Sequence, residues 1–147
     1  HTRFTTSVCS GALVLAAAGI LEGKPATTHW LAIPVLKGLG IHTRPSERIV
    51  RSGKVFTAAG VSAGIDLALA LVAEIHGEDE AQIAQLLVEY DPQPPFDAGH
   101  ISKAPGSIKR RAAARMAKMA LNPRDAISLP KVVGRLWMER LRGKSSQ

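Results

Sequence analysis

The chain opens with a β-branched run that leads directly into a run rich in alanine and leucine. Residues 4–8 read FTTSV, and residues 11–20 read GALVLAAAGI. The first composition is typical of a β-strand and the second of a helix. The sequence therefore predicts a strand that passes into a helix through only two residues, Cys9 and Ser10. So short a junction favours architectures in which helices pack on a sheet.

The next part of the chain continues this alternation of extended and helical runs. Residues 26–29 (ATTH) predict a second strand, and residues 30–39 predict a short helix. Residues 48–51 and 54–58 predict two strands joined by a tight turn. This order of elements predicts an α/β fold that consists of a parallel sheet with helices on both faces. A sheet of so few strands leaves edges uncovered, so we expect the sequence to be the carboxyl-terminal part of a larger domain.

Three further helical patterns follow. Residues 62–76 are apolar almost all round, so this helix is expected to be buried. Residues 78–90 predict a helix with one apolar face, which holds Ile83, Leu86, Leu87 and Tyr90. After a Pro-rich loop over residues 91–96, helical spacing resumes over residues 108–119 and again over residues 133–141.

Charge separates the chain into two parts. Residues 101–147 hold 12 Lys/Arg against 2 Asp/Glu, whereas residues 1–100 hold 7 basic and 10 acidic residues. We therefore predict a domain over residues 1–100 and a basic helical tail over residues 101–147. Such a tail can bind phosphate-rich partners, but a solvated helix face is the commoner explanation of a charge run. Aromatic residues make up only 4% of the chain, and we expect no nucleic-acid binding.

Simple counts exclude several classes of protein. The chain has 46% hydrophobic and 21% charged residues, which excludes a wholly disordered chain. Its one cysteine excludes an intramolecular disulfide framework and a Cys-rich zinc site. The apolar run over residues 11–21 is shorter than the roughly 20 residues that span a bilayer, and residues 61–75 carry Asp66 and Glu74. We expect a cytoplasmic chain without membrane contact, in which these two carboxylates are structural.

The segment SVCSG at residues 7–11 is the most informative for chemistry. A nucleophile on a sharp strand-to-helix turn adopts a strained backbone, and its neighbours two positions away must be small. The serine version of this nucleophile elbow is G-x-S-x-G, and here Ser7 and Gly11 flank Cys9 at the same spacing. The start of a helix favours the thiolate, and the amide of Ser10 can stabilise an oxyanion. The alternative is that Cys9 is a small buried apolar residue, as lone cysteines usually are.

His29 is the second candidate catalytic residue. It ends the predicted second strand, and neighbouring parallel strands lie about 4.8 Å apart, so its ring can approach Cys9. The alternative is a histidine that is hydrogen-bonded in a half-buried loop. Three other histidines lie in turns or surface segments without ligand spacing, and no metal site is expected there: His42, His76 and His100.

Three separated motifs occur in a fixed order along the chain. They are TSVCSGALVL at residues 6–15 with ATTHW at residues 26–30, TAAGVSAGID at residues 57–66, and EYDPQPPFDAG at residues 89–99. Together they resemble the ThiJ/PfpI superfamily of glutamine-amidotransferase-like proteins over residues 4–100. The second and third motifs are similar to the isonitrile hydratase branch and to related sensor domains of AraC-type regulators.

This resemblance implies a flavodoxin-like fold, a site without a cofactor, and a homodimer. In isonitrile hydratases a cysteine attacks the isonitrile carbon, and water resolves the thioimidate to an N-substituted formamide. Cys9 matches that nucleophile. Ser10 stands where the branch usually has threonine, and His29 matches a histidine near the cysteine with a supporting role. The resemblance thus implies a hydro-lyase with Cys9, Ser10 and His29 in its catalytic site.

The sequence also departs from the family pattern. The family's acidic general acid/base lies in the first half of the domain, for which this sequence has no counterpart. The tail from Ile101 is longer and more basic than the family's closing helix. We therefore expect the 147-residue chain to be inactive by itself, even where the complete parent is active.

Two other functions stay open alongside the enzyme. One is a ligand-sensing domain of an AraC-type transcriptional regulator, and the other is a stress-response protein that uses the same cysteine. A regulator of that type needs two further helix-turn-helix units, and the residues after His100 do not suggest a recognition helix. This favours the enzyme.

Overall fold

The computed structural model describes residues 2–120, which fall into two compact units that divide after Gln93. The helical pattern predicted over residues 133–141 lies outside the described residues. The first unit contains these elements in order: β1 (Thr5–Val8), α1 (Gly11–Ala17), β2 (Pro25–Ala26), α2 (Ile33–Gly38), β3 (His42–Thr43), β4 (Ile49–Ser52), β5 (Val55–Ala58), α3 (Ala63–His76) and α4 (Glu78–Leu87). The second unit contains α5 (Gly106–Ala120).

A three-stranded sheet in the order β1-β5-β4 forms the centre of the first unit. β1 and β5 are parallel, in a register that pairs Thr5 with Val55 and Val8 with Ala58. β4 and β5 form the predicted antiparallel hairpin, whose turn includes Gly53 in the left-handed region at a φ of 59°. A second, small sheet consists of the parallel pair β2 and β3. The mixed α/β fold with parallel pairing is therefore confirmed.

Helices pack on both faces of β5 because the side chains of a strand alternate. All four residues of β5 are buried. Val55 belongs to one apolar cluster together with buried residues of α1 and α2, which include Ala12, Ala16 and Leu36. Phe56 and Ala58 belong to a second cluster with Ala63 and Leu67 of α3. The parallel pair β1 and β5 thus lies between two layers of helix.

α3 is less buried than its composition predicts. Its fully buried residues are Ala63 and Leu67, whereas Ile65 is 44% exposed and Ile75 is 40% exposed. The prediction of a buried helix is therefore wrong, because a sheet of three short strands covers only one stripe of α3. Ser62 precedes the helix, but its side chain makes no capping hydrogen bond.

The predicted second strand is also shorter than expected. β2 ends at Ala26, and residues 27–29 continue as a loop. The amide of Thr27 donates to the side-chain Oγ1 of Thr57 at 2.9 Å instead of joining a strand ladder. This side-chain bond turns the segment towards β5, which brings residues 27–29 close to the end of β1.

The second unit is described by itself. Residues 94–105 contain no helix or strand, and the Lys103 Nζ lies 2.7 Å from the Asp97 carboxylate. α5 contains the helical spacing predicted over residues 108–119 and begins two residues earlier, at Gly106; it carries basic but no acidic residues. Over residues 2–120, no helix combines the length and the apolar character that crossing a bilayer requires.

Candidate active site

A sharp turn joins β1 to α1, and Cys9 is its first residue. We call residues Cys9 and Ser10 the Cys9 turn. Cys9 has a φ of 57°, which lies in the left-handed region that favours glycine. Holding a non-glycine residue there costs on the order of 1–3 kcal/mol, and such strain is concentrated at functional positions. The backbone at Cys9 therefore has the conformation that the strand-to-helix pattern predicts.

Close packing explains why small residues flank this turn. A Cβ added at Gly11 would lie only 3.3 Å from the Cβ of Ser7. A side chain at position 11 would therefore require Ser7 to shift by a few tenths of an ångström. The requirement for small residues two positions before and after Cys9 thus follows from the contact between Ser7 and Gly11.

Hydrogen bonds from two other segments hold the backbone of Cys9. The Cys9 N–H donates to the carbonyl oxygen of Ala59, which follows β5, at 2.8 Å. The Cys9 carbonyl oxygen accepts a hydrogen bond from Thr28 Oγ1 at 2.6 Å. Thr28 is only 2% exposed, so this hydroxyl is shielded from competing water. Both sides of the strained residue are therefore fixed.

The Cys9 side chain is half-buried rather than enclosed in the core. Cys9 belongs to neither apolar cluster of the first unit. This position differs from that of a lone cysteine that serves as a small core residue.

Ser10 lies at the start of α1 and is exposed. It is the N-cap residue, with helical backbone angles of −69° and −6°, but its hydroxyl makes no capping hydrogen bond. Its carbonyl oxygen accepts from the Leu13 N–H at 3.0 Å, which starts the helical ladder. α1 is only seven residues long, so its dipole is small. Hydrogen bonds to neighbouring segments, more than the helix dipole, therefore determine the conformation of Cys9.

His29 lies in the loop between β2 and α2, and its ring is half-buried. The Leu31 N–H donates to its Nδ1 at 3.4 Å, so this nitrogen accepts and the Nε2 carries the proton in the neutral ring. Burial lowers the pKa of His29 below its usual value of 6.5. The ring is therefore neutral at physiological pH.

Two segments converge on the Cys9 turn. Thr28 bonds to Cys9 and immediately precedes His29, while a Cβ added at Gly60 would lie 3.6 Å from the His29 ring. Gly60 follows Ala59, whose carbonyl accepts from Cys9. The structure thus brings His29 close to Cys9. Within the described residues, 2–120, no hydrogen bond joins the His29 ring to the Cys9 sulfur. The same range contains no group of three His, Cys, Asp or Glu side chains that could hold a metal ion.

The role of Thr28 is a feature that the sequence analysis missed. The pattern of residues 26–29 predicts a strand that ends at His29 and assigns the threonines no role. In a strand, Thr27 and Thr28 would point to opposite faces of the sheet. This alternation is the one feature of the sequence that distinguishes the two threonines from each other. The bond from Thr28 to Cys9 depends on a tertiary contact that no local pattern predicts.

An ion-pair network that includes Arg48 and Asp66 contacts the segment between β5 and α3. Arg48 Nε donates to the Asp66 carboxylate at 2.5 Å, and the Tyr90 hydroxyl donates to the same carboxylate at 2.8 Å. The Arg48 carbonyl oxygen also accepts from the Ala59 N–H at 2.9 Å. The predicted structural role of Asp66 agrees with this geometry, and Glu74 is likewise paired, with Arg51.

Sequence comparison identifies relatives among enzymes and regulators. The DJ-1/PfpI family model matches residues 1–74 of the chain. The chain is 50% identical over 117 residues to the isonitrile hydratase of Pseudomonas putida, which covers 80% of this chain and 51% of that protein. It is 41% identical over 76 residues to the HTH-type transcriptional regulator GlxA of Rhizobium meliloti (strain 1021), which covers 51% of this chain and 24% of that protein.

Comparison with solved structures leads to the same family. The crystal structure of a ThiJ/PfpI family protein from Pseudomonas syringae matches with a TM-score of 0.74 and 38% identity, covering 92% of this chain and 52% of that chain. The chain spans about half the length of the hydratase and of this structure. The family match contains β1, the Cys9 turn, and every segment that converges on it. The resemblance noted in the sequence is confirmed: the chain belongs to the DJ-1/PfpI family.

Proposed function

We propose that the chain supplies the cysteine nucleophile of an isonitrile hydratase-like lyase. The observation that carries this proposal is the left-handed conformation of Cys9 at the strand-to-helix turn, in a chain that is 50% identical to an isonitrile hydratase. The Cys9 turn places the half-buried Cys9 outside both apolar clusters, and the Thr28 and Ala59 bonds hold the backbone that carries the thiol. A fixed nucleophile lowers the entropic cost of attack on a bound substrate.

The proposed reaction adds water across the terminal carbon of an isonitrile. The Cys9 sulfur forms a bond to that carbon, and the carbon takes up a proton, which gives a thioimidate. Water then adds to the same carbon, the C–S bond breaks, the thiolate leaves, and an N-substituted formamide is released. The net reaction consumes one isonitrile and one water and regenerates the cysteine. No cofactor enters this scheme.

Ser10 and His29 have supporting roles in this proposal. The Ser10 amide and hydroxyl lie beside Cys9 and can donate hydrogen bonds to charge that develops on the substrate. Because burial lowers the pKa of His29, its neutral ring is poorly suited to protonate the isonitrile carbon near pH 7. An additional carboxylic acid, which the family resemblance places in the first half of the domain, is the proposed proton donor.

A chimera tests the proposal directly. This chain replaces the matching half of the Pseudomonas putida isonitrile hydratase, and formamide production is measured with cyclohexyl isocyanide. We expect the chimera to turn over, and the 147-residue chain alone to produce no formamide. Cys9→Ala should reduce the rate of the chimera by at least roughly a thousandfold, because the nucleophile is lost.

The matched control is Val14→Ala, which alters an exposed residue of α1 and should leave turnover unchanged. A folded chimera without activity, or one that stays active after Cys9→Ala, contradicts the proposal. Formamide production by the isolated chain would refute the expectation that a second half is required.

A ligand-sensing role is the second candidate, because regulators are also among the relatives. GlxA shares 41% identity over 76 residues, and CdhR of Pseudomonas aeruginosa shares 37% identity over 81 residues. A sensor would bind a small molecule without turnover, and its binding would survive Cys9→Ala.

A stress-response function would instead require that mild peroxide oxidise Cys9, which mass spectrometry detects. We also propose that the complete protein is cytoplasmic and, as the resemblance implies, a homodimer.

A further inference from the structure

We propose that Thr28 is a positioning residue: its hydroxyl holds Cys9 in the left-handed conformation and so determines how fast the thiol reacts. This inference rests on the proposed role of Cys9 as a nucleophile. Thr28 Oγ1 donates to the Cys9 carbonyl oxygen at 2.6 Å, across 19 residues of sequence, and is buried. Thr28 does not reach the reacting sulfur in this role, because it acts through the backbone.

The strain at Cys9 makes such a contact necessary. A cysteine with a φ of 57° relaxes towards the right-handed or extended regions unless its surroundings prevent it. The Ala59 carbonyl fixes the peptide that precedes the Cys9 Cα, through the Cys9 N–H. The Thr28 hydroxyl fixes the peptide that follows it, through the Cys9 carbonyl. Without the hydroxyl, the second peptide is free to rotate, and the direction of the side chain changes with it.

The neighbouring threonine provides a matched control. Thr27 is as deeply buried as Thr28, but its Oγ1 has no hydrogen-bond partner within residues 2–120. Thr27→Val and Thr28→Val therefore remove the same hydroxyl from the same loop at almost the same burial. Only Thr28→Val removes a bond to Cys9, so a difference between the two variants reports that bond.

The first experiment measures alkylation of the full 147-residue chain by iodoacetamide between about pH 6 and pH 9. Cys9 is the one cysteine of the chain, so the mass of the intact protein reports its modification alone. Thr28→Val should slow the reaction by about fivefold, as the loss of one hydrogen bond predicts. Thr28→Ser, which retains the hydroxyl, should restore the rate to within about twofold, and Thr27→Val should match the unchanged chain.

Three results would overturn the proposal. They are an unchanged alkylation rate in Thr28→Val, a failure of Thr28→Ser to restore it, and an equal loss in Thr27→Val. The outcome is independent of the chimera experiment, because alkylation requires neither an isonitrile nor a second half of the domain. A chimera without activity would therefore contradict the proposed lyase function. The alkylation rates would still test whether Thr28 holds the Cys9 turn.

A second experiment covers the case in which Thr28→Val folds poorly. Cys9→Gly removes the strain, because glycine adopts positive φ without steric cost. If the Thr28 hydroxyl holds Cys9 in a strained conformation, its loss lets Cys9 relax and release part of that strain. Thr28→Val should therefore lower the melting temperature of the unchanged chain by less than it lowers that of the Cys9→Gly variant, which has no strain to release. Equal decreases in both backgrounds would show that the hydroxyl stabilises the loop without supporting the turn, which contradicts the proposal.

Discussion

Burial of the His29 ring links one residue to the pH dependence of the fold. Desolvation lowers the pKa of His29 from 6.5 in the folded chain, whereas the unfolded chain retains the ordinary value. As pH falls below about 6.5, the unfolded state therefore takes up a proton before the folded state does. The contribution of His29 to stability is complete above that pH and is lost as the pH falls through the lower, folded-state pKa.

We expect the melting temperature to decrease between about pH 7.5 and pH 5.5, and His29→Gln to reduce this decrease. The glutamine cannot be protonated, so its variant lacks the difference in proton uptake between the two states. His42→Gln, at an exposed histidine of β3, controls for the loss of an imidazole. The same loss of stability in the unchanged chain and in His29→Gln would exclude His29 as the source.

At the residue scale, sequence alone could predict the Cys9 turn but not its supports. The small residues Ser7 and Gly11 are a local requirement of the backbone, and local requirements are visible in a pattern. The bond from Thr28 and the acceptor at Ala59 come from segments 19 and 50 residues away. Their positions depend on how β1, β5 and the loop after β2 pack together, which no spacing rule specifies.

Three elements meet at the Asp66 carboxylate. Arg48 precedes β4, Asp66 lies in the first turn of α3, and Tyr90 follows α4. The hydrogen bond from the tyrosine hydroxyl to the carboxylate favours the protonated phenol, and this is the main reason why the pKa of Tyr90 is raised above 10.0. The network ties Tyr90, which follows α4, to the beginning of α3.

Because Tyr90 is the one tyrosine of the chain, its ionisation can be followed by ultraviolet absorbance. Asp66→Ala should lower the pKa of Tyr90 towards its ordinary value, since both the acceptor and the negative charge are removed. Glu74→Ala is the control, because Glu74 lies on the same helix but pairs with Arg51. An unchanged pKa of Tyr90 in Asp66→Ala would show that the two residues do not interact in solution.

At the element scale, most helices and strands of the first unit follow from composition. The β-branched runs give β1, β4 and β5, and the hairpin turn at Gly53 is correctly predicted. The strand predicted over residues 26–29 is an exception, because the Thr27 N–H donates to the side chain of Thr57 instead of to a strand. The two-residue strand β3 was not predicted. An isolated run of β-branched residues does not reveal whether a partner strand is available.

At the scale of the whole molecule, α4 gives the first unit an exposed apolar surface. The helix turns the small Ala81 inward, where it is buried, whereas Leu86 and Leu87 are both 81% exposed. A hydrophobic pattern predicts one apolar face but does not say whether anything covers it. The predicted face is present on α4, and its residues Ile83, Leu86 and Leu87 are exposed within the first unit.

This arrangement predicts opposite results for leucines on neighbouring helices. Leu86→Gln and Leu87→Gln should each change the free energy of unfolding by no more than about 0.5 kcal/mol, because an exposed side chain loses little contact. Both should decrease the fluorescence of a dye that binds apolar surface. Leu67→Ala, on the buried face of α3, should lower the free energy of unfolding by about 2–5 kcal/mol, because it leaves a cavity. Urea titration measures this free energy for all three variants. If Leu86→Gln were as costly as Leu67→Ala, the outer face of α4 would have to be covered in solution, either by another part of the chain or by a second molecule.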